Sequence, residues 1–250
     1  MRRATVLRVL DAPRRGSSWP VRVETEGGVF VAKLRGAGHG TAALVAEVIV
    51  AELAAALGLR VPARVVLDVA PGVPSDDPDQ ELRDLLRASA GLNLGFAPVP
   101  RARDFEPGDL PRVSRDEAST VAWLDGLALN PDRTARNPNL LVRGRELWLI
   151  DHGAALGFQH DWRRVTEDAP RRPGPPLSRH VLATRATRLL EWDPVLAAAL
   201  PREHLRAAVA AVPDDFLLPL LRGRASLARR REAYVAFLWK RLRAPRPFVS

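Results

Sequence analysis

Residues 130–153 read NPDRTARNPN, then LLVRGRELWL, then IDHG. Three side chains in this stretch carry chemistry: Asp132, Asn137 five residues on, and Asp151 after a short apolar run. A carboxylate held in a loop can accept the proton of a substrate hydroxyl. A carboxamide oxygen and a second carboxylate are hard oxygen donors suited to magnesium. Asp, Asn at the fifth position, two short strands and then Asp-x-Gly is the order that phosphoryl-transfer sites use.

The surroundings fit that order. Ser114-Arg-Asp-Glu117 is a capping box, so a helix is expected to start there and run through Val121, Trp123, Leu124 and Leu127 to about Leu129. Asn130-Pro131 ends it, which delivers Asp132 into a loop just past a buried helix. Leu140–Arg143 and Glu146–Ile150 are expected as two strands around a turn at Gly144, with Asp151 at the end of the second.

Composition sets the bounds. At 250 residues, 46% hydrophobic and 27% charged, the chain is long enough for one large domain or two lobes with an ample core. Cysteine is absent, which excludes disulfides and thiolate metal sites, and the five histidines lie in no zinc-ligand pattern. No apolar run reaches the roughly 20 residues that span a bilayer, and MRRATVLRVLDAPRRG lacks a cleavage pattern, so a soluble cytoplasmic protein is expected. Of the net charge of +9, residues 178–250 contribute +8, from 14 Lys/Arg against 6 Asp/Glu. A basic helical lobe can touch nucleic acid. The plainer reading is the Arg- and Ala-rich bias of the whole chain, and no nucleic-acid motif opposes it.

Of the 38 basic residues only Lys33 and Lys240 are lysines. A lysine kept where nearly every other cation is arginine points to a need for a compact ammonium on a flexible stem. Ala4–Leu10, Pro20–Thr25 and Val29–Leu34 read as three antiparallel strands, the last two joined by a Glu26-Gly27-Gly28 turn. Lys33 thus lies on the third strand, after a turn carrying Gly16, Ser17 and Ser18 whose backbone N–H groups could cover phosphates. A helix is expected from Thr41 to Leu57 with Gly58 as its cap, bearing Glu47 and Glu52 as possible partners of Lys33. Arg64–Val69 reads as an apolar strand and residues 70–80, rich in Pro and Asp, as a hinge; 81–90 read as a short helix and 91–113 as an irregular connection.

These stretches together resemble the HipA-like kinase family, relatives of the HipA toxin kinase, with more distant similarity to phosphoinositide 3-/4-kinase-like and protein-kinase folds. The resemblance is carried by GSSWP at 16–20, VAKL at 31–34, AEVIVAELAAALGLRVP at 46–62, LDGLALNPDRTARNPNLL at 124–141, LWLIDHGAAL at 147–156 and YVAFL at 234–238. It implies an α+β, two-lobed kinase-like fold: residues 1–75 as a small antiparallel-sheet N-lobe with one helix, and 76–250 as a larger, mainly helical C-lobe. It implies ATP and magnesium as cofactors. Lys33 resembles the residue on the α/β-phosphates, with Glu47 as its helix partner ahead of Glu52, and Gly16, Ser17 and Ser18 resemble the phosphate-covering turn. Asp132 resembles the catalytic base, and Asn137 and Asp151 the metal ligands. Asn139 is a rival of Asn137, but the five-residue spacing favours Asn137. His152 stands where protein kinases have Phe.

The implied reaction is transfer of the ATP γ-phosphoryl group to a hydroxyl, a protein Ser/Thr by resemblance. The competing readings are a small-molecule kinase, a pseudokinase or nucleotide-binding interaction module, and a basic nucleic-acid-associated protein. Each site residue also has an ordinary reading: a helix-ending turn for Asp132, a turn residue for Asp151 and a surface position for Lys33; Arg133 and Arg136 read equally as steering anionic phosphate and as surface charge.

Overall fold

The computed structural model describes every residue except 13–18, 222, 224 and 250. Gly16, Ser17 and Ser18, the expected phosphate-covering turn, lie outside the described residues. The fold is mixed α+β and divides into two units: residues 1–45, 62–100 and 214–220, and residues 46–61, 101–213 and 221–249.

The first unit is built from alternating sequences that bury one face. In β1 (Arg3–Asp11), β2 (Val21–Thr25) and β3 (Gly28–Lys33), Val6, Val9, Val21, Val23, Phe30 and Ala32 point inward. The β2–β3 hairpin turns at Gly28, whose φ of +111° is open to glycine and costly to most other residues. Thr25 locks the turn by donating its hydroxyl to the Gly28 carbonyl at 2.9 Å. These three strands form the expected antiparallel meander.

The expected strand at 64–69 forms as well, and the departure from expectation lies in a further strand at 91–96 and in the closure of the sheet. β4 (Arg64–Val69) and β5 (Gly91–Phe96) complete a closed barrel in the order β1-β2-β3-β5-β4, shut by a parallel pairing of β1 with β4. An open antiparallel sheet would leave an unpaired edge that closure removes. β5 lies in a segment expected to be irregular. Gly95 shows why its composition misleads: a Cβ there would fall 2.6 Å from Leu67 Cδ1 and 2.8 Å from Val65 Cγ1, so the close strand approach requires glycine. The boundary expected at residue 75 therefore falls inside this unit, because β5 pairs with both β3 and β4. The unit also holds the helix α2 (Gln80–Ala88), capped by Asp79, and so exceeds the single helix expected of it. Leu82 and Leu86 of α2 join the barrel's apolar cluster.

The helix α1 (Thr41–Ala56) runs close to its expected bounds and ends at Gly58, with φ +75°. Leu44, Val45, Val48, Ile49 and Leu53 on it are all at most 1% exposed. The division between units falls within it, after Val45.

The second unit centres on α3 (Arg115–Ala128), whose N-cap Ser114 accepts the Glu117 N–H on its side chain at 3.1 Å. A three-stranded antiparallel sheet, β6 (Arg103–Asp104), β7 (Leu140–Arg143) and β8 (Glu146–Leu149), turns between its last strands at Gly144, φ +62°. Leu149 donates its N–H to the Arg60 carbonyl at 2.8 Å, covering the β8 edge. Three helices follow in this unit: α4 (Leu189–Ala199), α5 (Arg202–Ala210) and, after α6 (Asp214–Leu217) of the first unit, α7 (Leu227–Leu242).

The basic tail is largely consumed internally. Arg231 donates to the Val209 and Val212 carbonyls, Arg246 pairs with Asp193 at 2.9 Å, and Arg202 pairs with Glu232 at 2.5 Å. Lys240, the lysine expected to have no special role, pairs with Glu167 at 2.7 Å.

Candidate active site

Asp132 lies three residues beyond Leu129, the C-cap of α3. Leu129 adopts the left-handed conformation at φ +56° and closes the helix, and Asn130 accepts the Asp132 N–H on its side-chain oxygen at 3.1 Å. The Asp132 carboxylate is half-buried and receives two carboxamides on Oδ2, from Asn137 at 2.8 Å and from Asn139 at 3.1 Å. Two donors on one oxygen hold the carboxylate in a fixed orientation.

Asn137 is exposed, and giving its nitrogen to Asp132 leaves its carboxamide oxygen available to a cation. Asn139 is 9% exposed at φ +50°, a left-handed backbone that Asn tolerates. Its amide donates to the same Asp132 oxygen as that of Asn137, and what separates the two rivals is burial, Asn137 being exposed and Asn139 buried.

Asp151 follows β8 by two residues, half-buried, at φ +55°. Backbone in sparsely populated regions persists where surrounding structure enforces it. Here the enforcement is visible: Ile150 donates its N–H to the Asn139 carbonyl at 3.1 Å, so the strand end is bonded directly to the loop that carries Asn137 and Asn139. Asp132, Asn137 and Asn139 thus form one bonded cluster within the second unit, and Asp151 directly follows the Ile150 that is bonded to it.

Beneath it lies a buried ionic network that sequence reasoning missed. Arg133, 1% exposed, donates Nε to the Asp125 carboxylate at 2.6 Å, Nη1 to the Asn139 and Ile150 carbonyls, and Nη2 to His152 Nδ1 at 3.1 Å. Asp125, 2% exposed on α3, also receives the Asn130 amide at 2.8 Å and His180 Nε2 at 3.0 Å. Burial pushes the Asp125 carboxyl up, but the Arg133 charge and the His180 and Arg133 hydrogen bonds outweigh it and hold it below the usual carboxylate range. Arg133 is therefore an internal strut rather than surface charge. Arg136 is exposed. The signal available in sequence was Asp125 eight residues before Arg133, too weak to single out among 36 arginines.

Lys33 sits on β3 opposite Leu94 of β5, in the first unit. Glu47 on α1 is 0% exposed, whereas Glu52 is half-buried. A carboxylate taken wholly out of water must be met by a cation or hydrogen-bond donors.

The oxygen donors fit magnesium. Among the described residues no group of three or more His, Cys, Asp or Glu could hold a metal ion by itself. Asn137 and Asp151 would supply two oxygens, and magnesium characteristically completes its shell with water and substrate phosphates.

The sequence matches a family described as HipA-like kinase over residues 6–170, about two thirds of the chain. No curated protein matches it. Among solved structures, a Helicobacter pylori proinflammatory kinase, CtkA, is similar in fold, with a TM-score of 0.54 at 10% identity, covering 97% of each chain. The chain belongs to the HipA-like kinase family.

Proposed function

We propose that this HipA-like kinase transfers the γ-phosphoryl group of ATP to a hydroxyl, that of a protein Ser or Thr. The observation that carries the reading is the Asp132 carboxylate fixed by two carboxamides in a loop bonded to the strand end of Asp151. Such catalysis is mostly positioning and charge stabilisation, with little covalent work for the protein.

In this reading the acceptor oxygen attacks the γ-phosphorus as the bond to the β-bridging oxygen breaks, ADP leaves, and Asp132 takes the hydroxyl proton. Asn137 and Asp151 hold magnesium, which when bound neutralises charge on the phosphates. Lys33 contacts the α/β-phosphates, Glu47 orients it, and its complete burial supports it over Glu52. The unit that holds Lys33 carries nucleotide-phosphate binding, and the unit that holds Asp132, Asn137 and Asp151 carries the catalytic loop and metal ligands.

The test is incubation with magnesium and γ-labelled ATP, followed by mass spectrometry of any labelled protein. Phosphoserine or phosphothreonine in the wild type, lost in both Asp132→Ala and Asp151→Ala, is the expected result. Only Asp151→Ala should also weaken magnesium–ATP binding. Undiminished turnover in either variant would remove the site assignment.

A further inference from the structure

We propose that Arg133 is a positioning residue that sets the spacing between the Asp132 and Asp151 carboxylates, a role that rests on the kinase reading above. Its guanidinium is adjacent in sequence to Asp132 and touches both neighbours of Asp151: the Ile150 carbonyl at 3.3 Å and His152 Nδ1 at 3.1 Å. The same group binds the carbonyl of Asn139, whose amide orients Asp132. One rigid, planar fork therefore spans the loop that carries the proton acceptor and the strand end that carries the metal ligand.

The fork is itself anchored. Asp125 takes Arg133 Nε at 2.6 Å and the Asn130 amide at 2.8 Å. Asn130 in turn accepts the Asp132 N–H at 3.1 Å. From one buried carboxylate on α3, one arm thus reaches the Asp132 backbone and the other reaches both flanks of Asp151. Leu182 donates its N–H to His180 Nδ1 at 3.1 Å, which directs His180 Nε2–H at Asp125 and completes that anchor.

A lysine could neutralise Asp125, but its single nitrogen cannot reach three further acceptors in separate directions. That difference separates positioning from ordinary ion pairing. In Arg133→Lys, kcat should fall by about 10²-fold, the loss that a misplacement of about 1 Å can produce. KM for ATP should change far less, since the nucleotide-gripping residues are untouched. Affinity for Mn²⁺ in the presence of a non-hydrolysable ATP analogue, read by electron paramagnetic resonance, should fall at least about tenfold, equivalent to about 1.4 kcal/mol. Amide hydrogen exchange should accelerate at Asn137, Asn139 and residues 150–153 while the α3 core stays protected.

Should Arg133→Lys not fold, the neutral pair Asp125→Asn/Arg133→Gln removes both buried charges together and is read the same way. Wild-type kcat, Mn²⁺ affinity and exchange in a folded variant would overturn the positioning role. An inactive wild type whose variant still shows the localised exchange would overturn the kinase reading and leave the strut standing.

Discussion

Asn139 donates its amide to the Asp132 carboxylate at 3.1 Å from a left-handed backbone at φ +50°. The side chain and the backbone make separate demands, and substitutions can separate them. Glycine keeps the backbone conformation and removes the amide; alanine removes the amide and strains the backbone as well. Asn139→Gly should therefore lower kcat by about 10- to 100-fold, the scale of one hydrogen bond to a charged group at roughly 1.5–3 kcal/mol. Asn139→Ala should match that kinetic loss and melt at a lower temperature. Steady-state kinetics beside thermal melts check both, and an Asn139→Gly enzyme with unaltered kcat would show that Asn137 alone orients Asp132.

The parts of this site legible in sequence are those whose partners are close in the chain. Ser114 caps Glu117, Gly144 turns β7 into β8, and Asn137 meets Asp132 across five residues, so local pattern was sufficient. What stayed hidden depends on distant partners. β5 contains two glycines and Asn93, a poor strand by propensity, yet pairing with β3 and β4 overrides that. Asn93 itself is 0% exposed because its oxygen accepts the Arg35 N–H at 2.7 Å and its nitrogen donates to the Ser89 and Gly91 carbonyls. Nothing in a run such as GLNLGF announces those contacts. Arg133 and Asp125 were hidden by composition, since one buried arginine looks like 35 others.

Acid stability should report on Asp109. The Arg103 hydrogen bond holds its carboxyl down to about 2, aided by the Glu106 N–H and opposed by burial. The folded value lies below the unfolded one of about 3.9, so the stabilisation is complete above about pH 4 and is lost as pH falls towards 2. Asp109→Asn should melt below the wild type at pH 6, and the gap should narrow as the pH is lowered from 4 to 2. A gap independent of pH would mean that the Asp109 charge contributes nothing and only its packing matters.

Gly95 makes the barrel's closure testable. Gly95→Ala places a methyl group 2.6 Å from Leu67 Cδ1 and 2.8 Å from Leu67 Cγ, too close for the tip of Leu67 alone to yield. Overpacking of this kind costs about 1–3 kcal/mol. Leu67→Ala, by emptying that volume, should cost less in the Gly95→Ala background than alone. Urea unfolding of the four forms measures the coupling, and additive costs would refute the contact between β5 and β4 at this point.

Arg241 tests whether the basic tail is structure or surface. Its side chain is 0% exposed, and its four hydrogen bonds go to the carbonyls of Gly126, Pro170 and Arg172 at 2.7–3.2 Å. Burial pulls the guanidinium down to about 10, still far enough above neutral pH that it stays charged. The cation also lies 5.0 Å over the Phe248 ring, which packs edge-on against Trp123 of α3. Removing it would strand three carbonyl groups away from water, at about 1–3 kcal/mol for each one left unsatisfied. Arg241→Met should therefore destabilise the protein by at least about 3 kcal/mol. Arg229, exposed on the same helix, should tolerate alanine within about 0.5 kcal/mol. Equal losses in the two variants would show that position within α7 is immaterial and that its arginines are interchangeable surface charge. A large difference would mean that much of the tail's apparent excess charge acts by tying α7 to the end of α3, four residues before the loop that presents Asp132.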